Sequence, residues 1–170
     1  GDVPRDEVFA QTGIQVMQIN SLYQLLAMKL RGDPALDAAA ALLMIPDLFH
    51  WFLTGIKGNE YTDASTTQFL NPLTRGWASG LLRKLELPEH ILGEIVQPGT
   101  RLGPLLPQVA EETNLAGAQV VVPAAHDTAS AVAAVPAASR PGQRPDWCYI
   151  SSGTWSLMGV ESPQPVVNDL

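Results

Sequence analysis

His126, Asp127 and Thr128 stand where a short β-branched run, Gln119-Val120-Val121-Val122-Pro123, gives way to small helix-forming residues from Thr128 to about Ala134. A strand that opens into a helix is where α/β folds place ligands. The start of such a helix offers unpaired backbone N–H groups and positive dipole character. A carboxylate at Asp127 stays ionised in that setting and is held rigidly. Those are the conditions for orienting an attacking hydroxyl and accepting its proton during phosphoryl transfer. His126 and Thr128 supply hydrogen-bonding groups for neighbouring hydroxyls of a sugar or polyol. A simpler reading competes at the level of these residues alone, and the frequency of Asp caps favours it: Asp127 as a helix N-cap, with Thr128 and Ser130 as ordinary first-turn residues.

The second candidate is Ser151-Ser152-Gly153-Thr154-Trp155-Ser156. Glycine lets a backbone approach a phosphate closely, and the hydroxyls and N–H groups around it donate hydrogen bonds. A plain hairpin with a glycine turn fits the same residues. Other chemistry is weaker. His50 and His90 lack partners at metal-ligand spacing and read as ordinary helical residues, so no metal ligand is assigned. Cys148 reads as a small core residue. Trp51, Phe52 and Trp77 read as core rather than as a stacking platform. The chain has no Gly-x-x-x-x-Gly-Lys-Ser/Thr loop and no nucleophile elbow.

The elements that would position these residues follow from punctuation and periodicity. Asp2 and Pro4 open a helix that Gly13 closes. Asn20-Ser21 caps a second, with Leu22, Leu25, Leu26 and Leu30 on one face until Gly32. Asp33-Pro34 starts an Ala-rich helix, and Pro46-Asp47 starts another that stops at Thr54-Gly55. The apolar stretch from Ala38 to Leu53 reads as two core helices meeting at a break, well short of a membrane span. Glu60 to Asn71 is a polar loop or short capped helix. Trp77, Leu81, Leu82 and Leu85 recur at helical spacing. Pro88 restarts a helix through Ile95, Pro98 to Pro107 is loop, and Gln108 to Asn114 is one more helix. Near Val120 the pattern shifts from helical to α/β. Ser139 to Asp146 is a turn, and Trp147 to Ser152 and Trp155 to Val160 are strands joined through Gly153-Thr154.

Composition narrows the class. The 170 residues suffice for one domain with a real core. One cysteine excludes an internal disulfide framework. A formal charge of −7, with ten scattered basic residues, argues against nucleic-acid and anionic-membrane partners. Gly1-Asp2-Val3-Pro4-Arg5 carries no signal-peptide pattern. The missing initiator Met and the close at Val166-Val167-Asn168-Asp169-Leu170 read as an internal piece of a longer protein.

In order along the chain, several segments resemble the FGGY carbohydrate kinases. Pro46-Asp47-Leu48 through Leu53-Thr54-Gly55 is similar to the family's "PD…LTG" segment, and Glu60-Tyr61-Thr62-Asp63-Ala64-Ser65 to the polar stretch after it. Trp77 through Leu82, Leu87-Pro88, the Gly99 to Gly103 turn and Ala110 through Asn114 fall in the family's order. Val120 to Ala129 resembles its "V…HDT" segment, and Ser151-Ser152-Gly153-Thr154 its second-domain phosphate loop. Within the family, Thr12 to Gln15, Asn20 to Leu25, Ala125 to Val132 and Ser151 to Gly159 look most like the rhamnulokinase branch.

The resemblance implies phosphorylation of L-rhamnulose at O1 by Mg-ATP, giving L-rhamnulose 1-phosphate and ADP. Asp127 would be the catalytic base, with His126, Asp127 and Thr128 on the sugar. Thr154, with Gly153, would contact the ATP phosphates. The implied fold is α/β, part of an actin-like, ribonuclease-H-like ATPase: a helix-rich first part, then strand–helix and a β-hairpin. Residues 1–138 would be the later part of the first, sugar-binding domain. Residues 139–170 would be the link and opening hairpin of the second, ATP-binding domain. The cofactors expected are ATP and Mg2+, and the partners the sugar, ATP and the rest of the parent chain, in the cytoplasm. The stretch Pro141 to Pro145 looks longer than the family's usual link. The family's "D-x-G-T" motif and adenine pocket are not in these residues, so the isolated chain is expected to transfer no phosphate. The rival readings are a kinase for another ketose or polyol (L-fuculose, xylulose, glycerol) and a non-catalytic sugar-binding or scaffold domain of the same fold.

Overall fold

The computed structural model describes residues 3–137 and 147–168. The expected turn over Ser139 to Asp146, the long link at Pro141 to Pro145 and the domain boundary after residue 138 lie outside the described residues.

The first helices form where the punctuation predicts. Helix α1 spans Arg5–Thr12 and ends at Gly13, whose φ of 65° is the left-handed cap an L-residue adopts only with strain. Helix α2 spans Ser21–Leu30. Asn20 sits at its N-cap position, yet its side chain does not cap. Its amide donates to Gln15 O (3.3 Å) and Gln68 Oε1 (3.0 Å). Gln68 in turn donates to Ile14 O at 2.8 Å, so a buried amide pair ties the 14–20 loop to the 67–69 turn.

The Ala-rich helix is a correction. Helix α3 is one turn, Pro34–Asp37, capped by Asp33 Oδ1 on Ala35 N–H at 3.0 Å. Beyond it the helix does not continue, and Leu42 forms an isolated parallel bridge with Leu92. Cross-chain pairing (Leu42 N–H to Ile91 O, 2.7 Å) outweighs the fraction of a kcal/mol per residue that alanine gains in a helix. The two core helices expected between Ala38 and Leu53 are therefore one, α4, Ile45–Thr54, closed by Gly55 at φ 75°.

Further strands break the expected helical first part. They are β1 (Asn59–Glu60), β2 (Leu70–Asn71), β3 (Gly76–Trp77), β4 (Ile95–Val96) and β5 (Arg101–Pro104). The helix expected from Pro88 to Ile95 is a 3-10 turn at Glu89–Ile91, and β5 replaces part of the loop expected from Pro98 to Pro107. Strands of two to four residues leave too short an alternation to read, so only their partners reveal them. The remaining helices of this part are α5 (Tyr61–Ala64), α6 (Ser79–Lys84) and α7 (Pro107–Thr113). Strand β6 (Gln119–Val121) precedes α8 (Asp127–Ala133). Strands β7 (Cys148–Ser152) and β8 (Ser156–Val160) close the order.

The described strands pair two by two: β1 with β4 in parallel, and β2 with β3, β5 with β6 and β7 with β8 antiparallel. The core gathers Val8, Leu22, Phe69, Leu81, Leu82, Leu85 and Leu87 around α6. Each fully buried Leu or Phe contributes about 1.5–3 kcal/mol. Two more expectations change. Cys148 is exposed on the β7 edge rather than in a core, and Phe52 is 52% exposed rather than buried.

Candidate functional site

Asp47 is the foundation of the site. It lies in the first turn of α4, 1% exposed, where its carboxylate accepts from Met44 N–H (3.2 Å), Asn59 Nδ2 (3.2 Å) and Glu60 N–H (2.9 Å). Asn59 continues the chain of bonds by donating to Leu42 O at 3.0 Å and accepting from Gly93 N–H at 3.0 Å. Buried polar groups of this kind hold a backbone in place only when each finds its partner, and here they do.

Glu60 stands on that foundation at the start of α5, also 1% exposed. Its Oε1 accepts from Thr62 N–H at 2.8 Å. Its Oε2 accepts from Asp63 N–H at 3.0 Å, from the Thr62 hydroxyl at 2.5 Å and from Ala125 N–H at 3.1 Å. The Thr62 hydroxyl, which donates to Glu60, accepts from His126 N–H at 3.2 Å. The N-cap side chain of α5 and one from its first turn thus grip two consecutive backbone N–H groups just ahead of Asp127. Ser130 Oγ donates to Ala124 O at 2.5 Å and closes the turn from the helix side.

Asp127 is the first residue of α8, and the N-cap position belongs to His126. Its side chain is 95% exposed. Oδ1 accepts from Thr128 N–H (2.5 Å) and from the Thr128 hydroxyl (3.2 Å), and lies 3.7 Å from His126 Nε2. Oδ2 takes no hydrogen bond among the described residues. His126 and Thr128 line an open cleft of about 670 Å3 between α8 and the β7–β8 hairpin, whose far wall includes Tyr149 and Leu157.

Asp63 is the electrostatic neighbour of this turn. Burial pushes its carboxyl above the ordinary value of 3.8, and the negative charges of Asp47, Glu60 and Asp127 push the same way. His126 acts in the opposite sense. From sequence, Glu60, Thr62 and Asp63 belong to a polar loop or short capped helix and carry no sign of a part in the site. Glu60 and Ala125 are 65 residues apart, and glutamate is not a favoured N-cap, so no local signal marks the contact.

The second candidate lies in the three-residue turn between Ser152 and Ser156, the last register pair of the hairpin. Gly153 and Thr154 are both exposed there. Gly153 N–H is used inside the turn, donating to Trp155 O at 2.9 Å. Neither Gly153 nor Thr154 lines the cleft beside α8. Among the described residues no group of three or more His, Cys, Asp or Glu side chains forms a metal cage. No helix among the described residues is long and apolar enough to cross a membrane.

Comparison with known proteins fits this geometry. The N-terminal domain model of the FGGY family of carbohydrate kinases matches residues 2–134. The rhamnulokinase of Bacteroides thetaiotaomicron is 46% identical over 97% of this chain and 33% of its own length. That of Halalkalibacterium halodurans is 42% identical over 95% and 33%. A solved carbohydrate kinase from Novosphingobium aromaticivorans superposes with a TM-score of 0.73 at 27% identity, over 93% of this chain and 34% of that one. A xylulose kinase from Lactobacillus acidophilus shares the fold at TM-score 0.66 and 22% identity, over 70% and 24%. The fold is thereby the mixed α/β, actin-like and ribonuclease-H-like architecture of these sugar kinases. The chain spans about a third of the length of the curated relatives it matches.

Proposed function

The chain belongs to the FGGY family of carbohydrate kinases, and on that premise we propose that it is part of an ATP-dependent kinase that phosphorylates L-rhamnulose at O1, giving L-rhamnulose 1-phosphate and ADP. Asp127 is the general base. The observation that carries this reading is its placement: an exposed carboxylate on a turn pinned from behind, with Oδ1 held by Thr128 and Oδ2 directed to no described partner. A carboxylate so held can orient a sugar hydroxyl and take its proton as the oxygen attacks the terminal phosphorus of ATP. His126 and Thr128, on the cleft wall, hydrogen-bond neighbouring sugar hydroxyls. The choice of sugar rests on the identity to rhamnulokinases over nearly the whole chain.

Thr154 contacts the ATP phosphates through its N–H and hydroxyl. Gly153 contributes through close backbone approach, its own N–H being committed to Trp155. Mg2+ would accompany ATP and neutralise phosphate charge. The described residues offer it no cage, so no step of this reading runs through the ion. Residues 1–138 form the later part of the sugar-binding domain, and residues 139–170 the opening of the ATP-binding one. The end of the family match at residue 134 supports that division. The protein works in the cytoplasm.

The test is Asp127→Asn in the full-length kinase. Turnover should fall at least a thousandfold, with the KM for L-rhamnulose within a few-fold of wild type. Retained turnover would reduce Asp127 to a helix-start residue. A panel of L-rhamnulose, L-fuculose, xylulose and glycerol separates the sugars, and preference for any but the first would overturn the substrate assignment.

A further inference from the structure

We infer that Glu60 and Thr62 are positioning residues for Asp127, acting through the backbone of the turn that carries it. This rests on the reading of Asp127 as the base.

Glu60 is an acceptor-only side chain that meets four donors: Thr62 N–H, the Thr62 hydroxyl, Asp63 N–H and Ala125 N–H. The Thr62 hydroxyl has a single proton. Giving it to Glu60 leaves a lone pair for His126 N–H, so the direction of every bond in the chain His126 N–H to Thr62 Oγ1 to Glu60 Oε2 is fixed. Reversal would require a second donor where the structure has a carboxylate.

The arrangement is more than a stitch between distant segments. Ala125 and His126 immediately precede Asp127, and both of their N–H groups end on this one pair of side chains. Glu60 is itself located by Asp47 through its backbone N–H. Asp127 has no buried contact of its own, since its side chain is 95% exposed. Its position is set by the backbone beneath it, and that backbone is set by Glu60 and Thr62. A shift of about 1 Å in a catalytic group can lower the rate about a hundredfold without touching the substrate-binding surface.

The experiment uses Glu60→Gln, Thr62→Val and Thr62→Ser in the full-length kinase, beside Asp127→Asn. Glu60→Gln keeps the shape but replaces one accepting oxygen with a donor that meets N–H groups. Thr62→Val keeps the branching and loses the hydroxyl, whereas Thr62→Ser keeps the hydroxyl. The expected result is a fall in kcat of about tenfold to a hundredfold for Glu60→Gln and Thr62→Val, with the KM for sugar and for ATP within about twofold. Thr62→Ser recovers most of the wild-type kcat. If Glu60→Gln fails to fold, the Val and Ser pair at Thr62 decides alone. Wild-type kcat in Thr62→Val, or equal losses in the Val and Ser variants, overturns the positioning role while leaving Asp127 as base, provided that Asp127→Asn is inactive. Turnover surviving in Asp127→Asn overturns both.

Discussion

At the scale of single residues the site is a contrast between buried and exposed carboxylates. Asp47 and Glu60 are buried and saturated with donors, and Asp127 is almost wholly in water. Asp63 lies between the two conditions, and its raised pKa has a consequence for stability. Below 3.8 the carboxyl is protonated whether the chain is folded or not, and it costs nothing. As pH rises from 3.8 through the raised folded value, the unfolded chain loses its proton first, so the folded state loses stability. Asp63→Asn should therefore raise the melting temperature at pH 7 and have little effect near pH 3. Thermal melts of both proteins across that range check the sign. A gain confined to acid pH would contradict it.

Asp127 and Glu60 also mark how far single residues can be read. The strand-to-helix junction at His126-Asp127 is local, and its position agrees with the sequence to within a residue. The Glu60–Ala125 bond behind the junction depends on how the chain returns after 65 residues.

Among the elements, α4 connects packing to the site. Its first turn contributes Asp47, and its last turn ends on Gly55 at φ 75° with ψ 0°. A Cβ on Gly55 would meet Leu106 Cδ2 at 3.5 Å, an ordinary contact. The cost of Gly55→Ala therefore lies in the backbone, about 1–2 kcal/mol for a left-handed L-residue. A fall of that size in unfolding free energy, read from the urea midpoint, is the expected outcome. The hairpin shows the opposite use of glycine. Gly159 pairs with Tyr149, and any Cβ there would overlap the Tyr149 ring. The short strands β1 to β5 are not legible in the sequence because two to four residues show too little alternation, whereas α4 is legible from Pro46 and Gly55.

Over the whole molecule, large apolar surfaces remain open. Ile45, Phe49, Phe52 and Ile56 recur at helical spacing along α4 and its exit and are 44–67% exposed. Ile150, Met158 and Val160 share one face of the β7–β8 hairpin and are 65–74% exposed. A two-stranded hairpin with an uncovered apolar face is marginal by itself. The chain carries Asp127 beside a cleft lined by α8 and the β7–β8 hairpin, within a third of the length of its relatives. The purified 170-residue chain should accordingly release no ADP from ATP and L-rhamnulose above background in a coupled assay. Steady turnover by it would show that these residues hold a complete site.

The sequence by itself determined the family, the order of segments, the α4 boundaries and the junction at Asp127. Those depend on residue types with strong local preferences, Pro and Gly above all, and on an ordered series of motifs. Only the tertiary structure decided that no helix forms over 39–44, that Cys148 and Phe52 face solvent and that Glu60 and Thr62 accept from the Ala125 and His126 N–H groups ahead of Asp127. These outcomes depend on which distant backbone groups arrive to pair, and a hydrogen bond across 65 residues leaves no periodic trace in the chain that makes it.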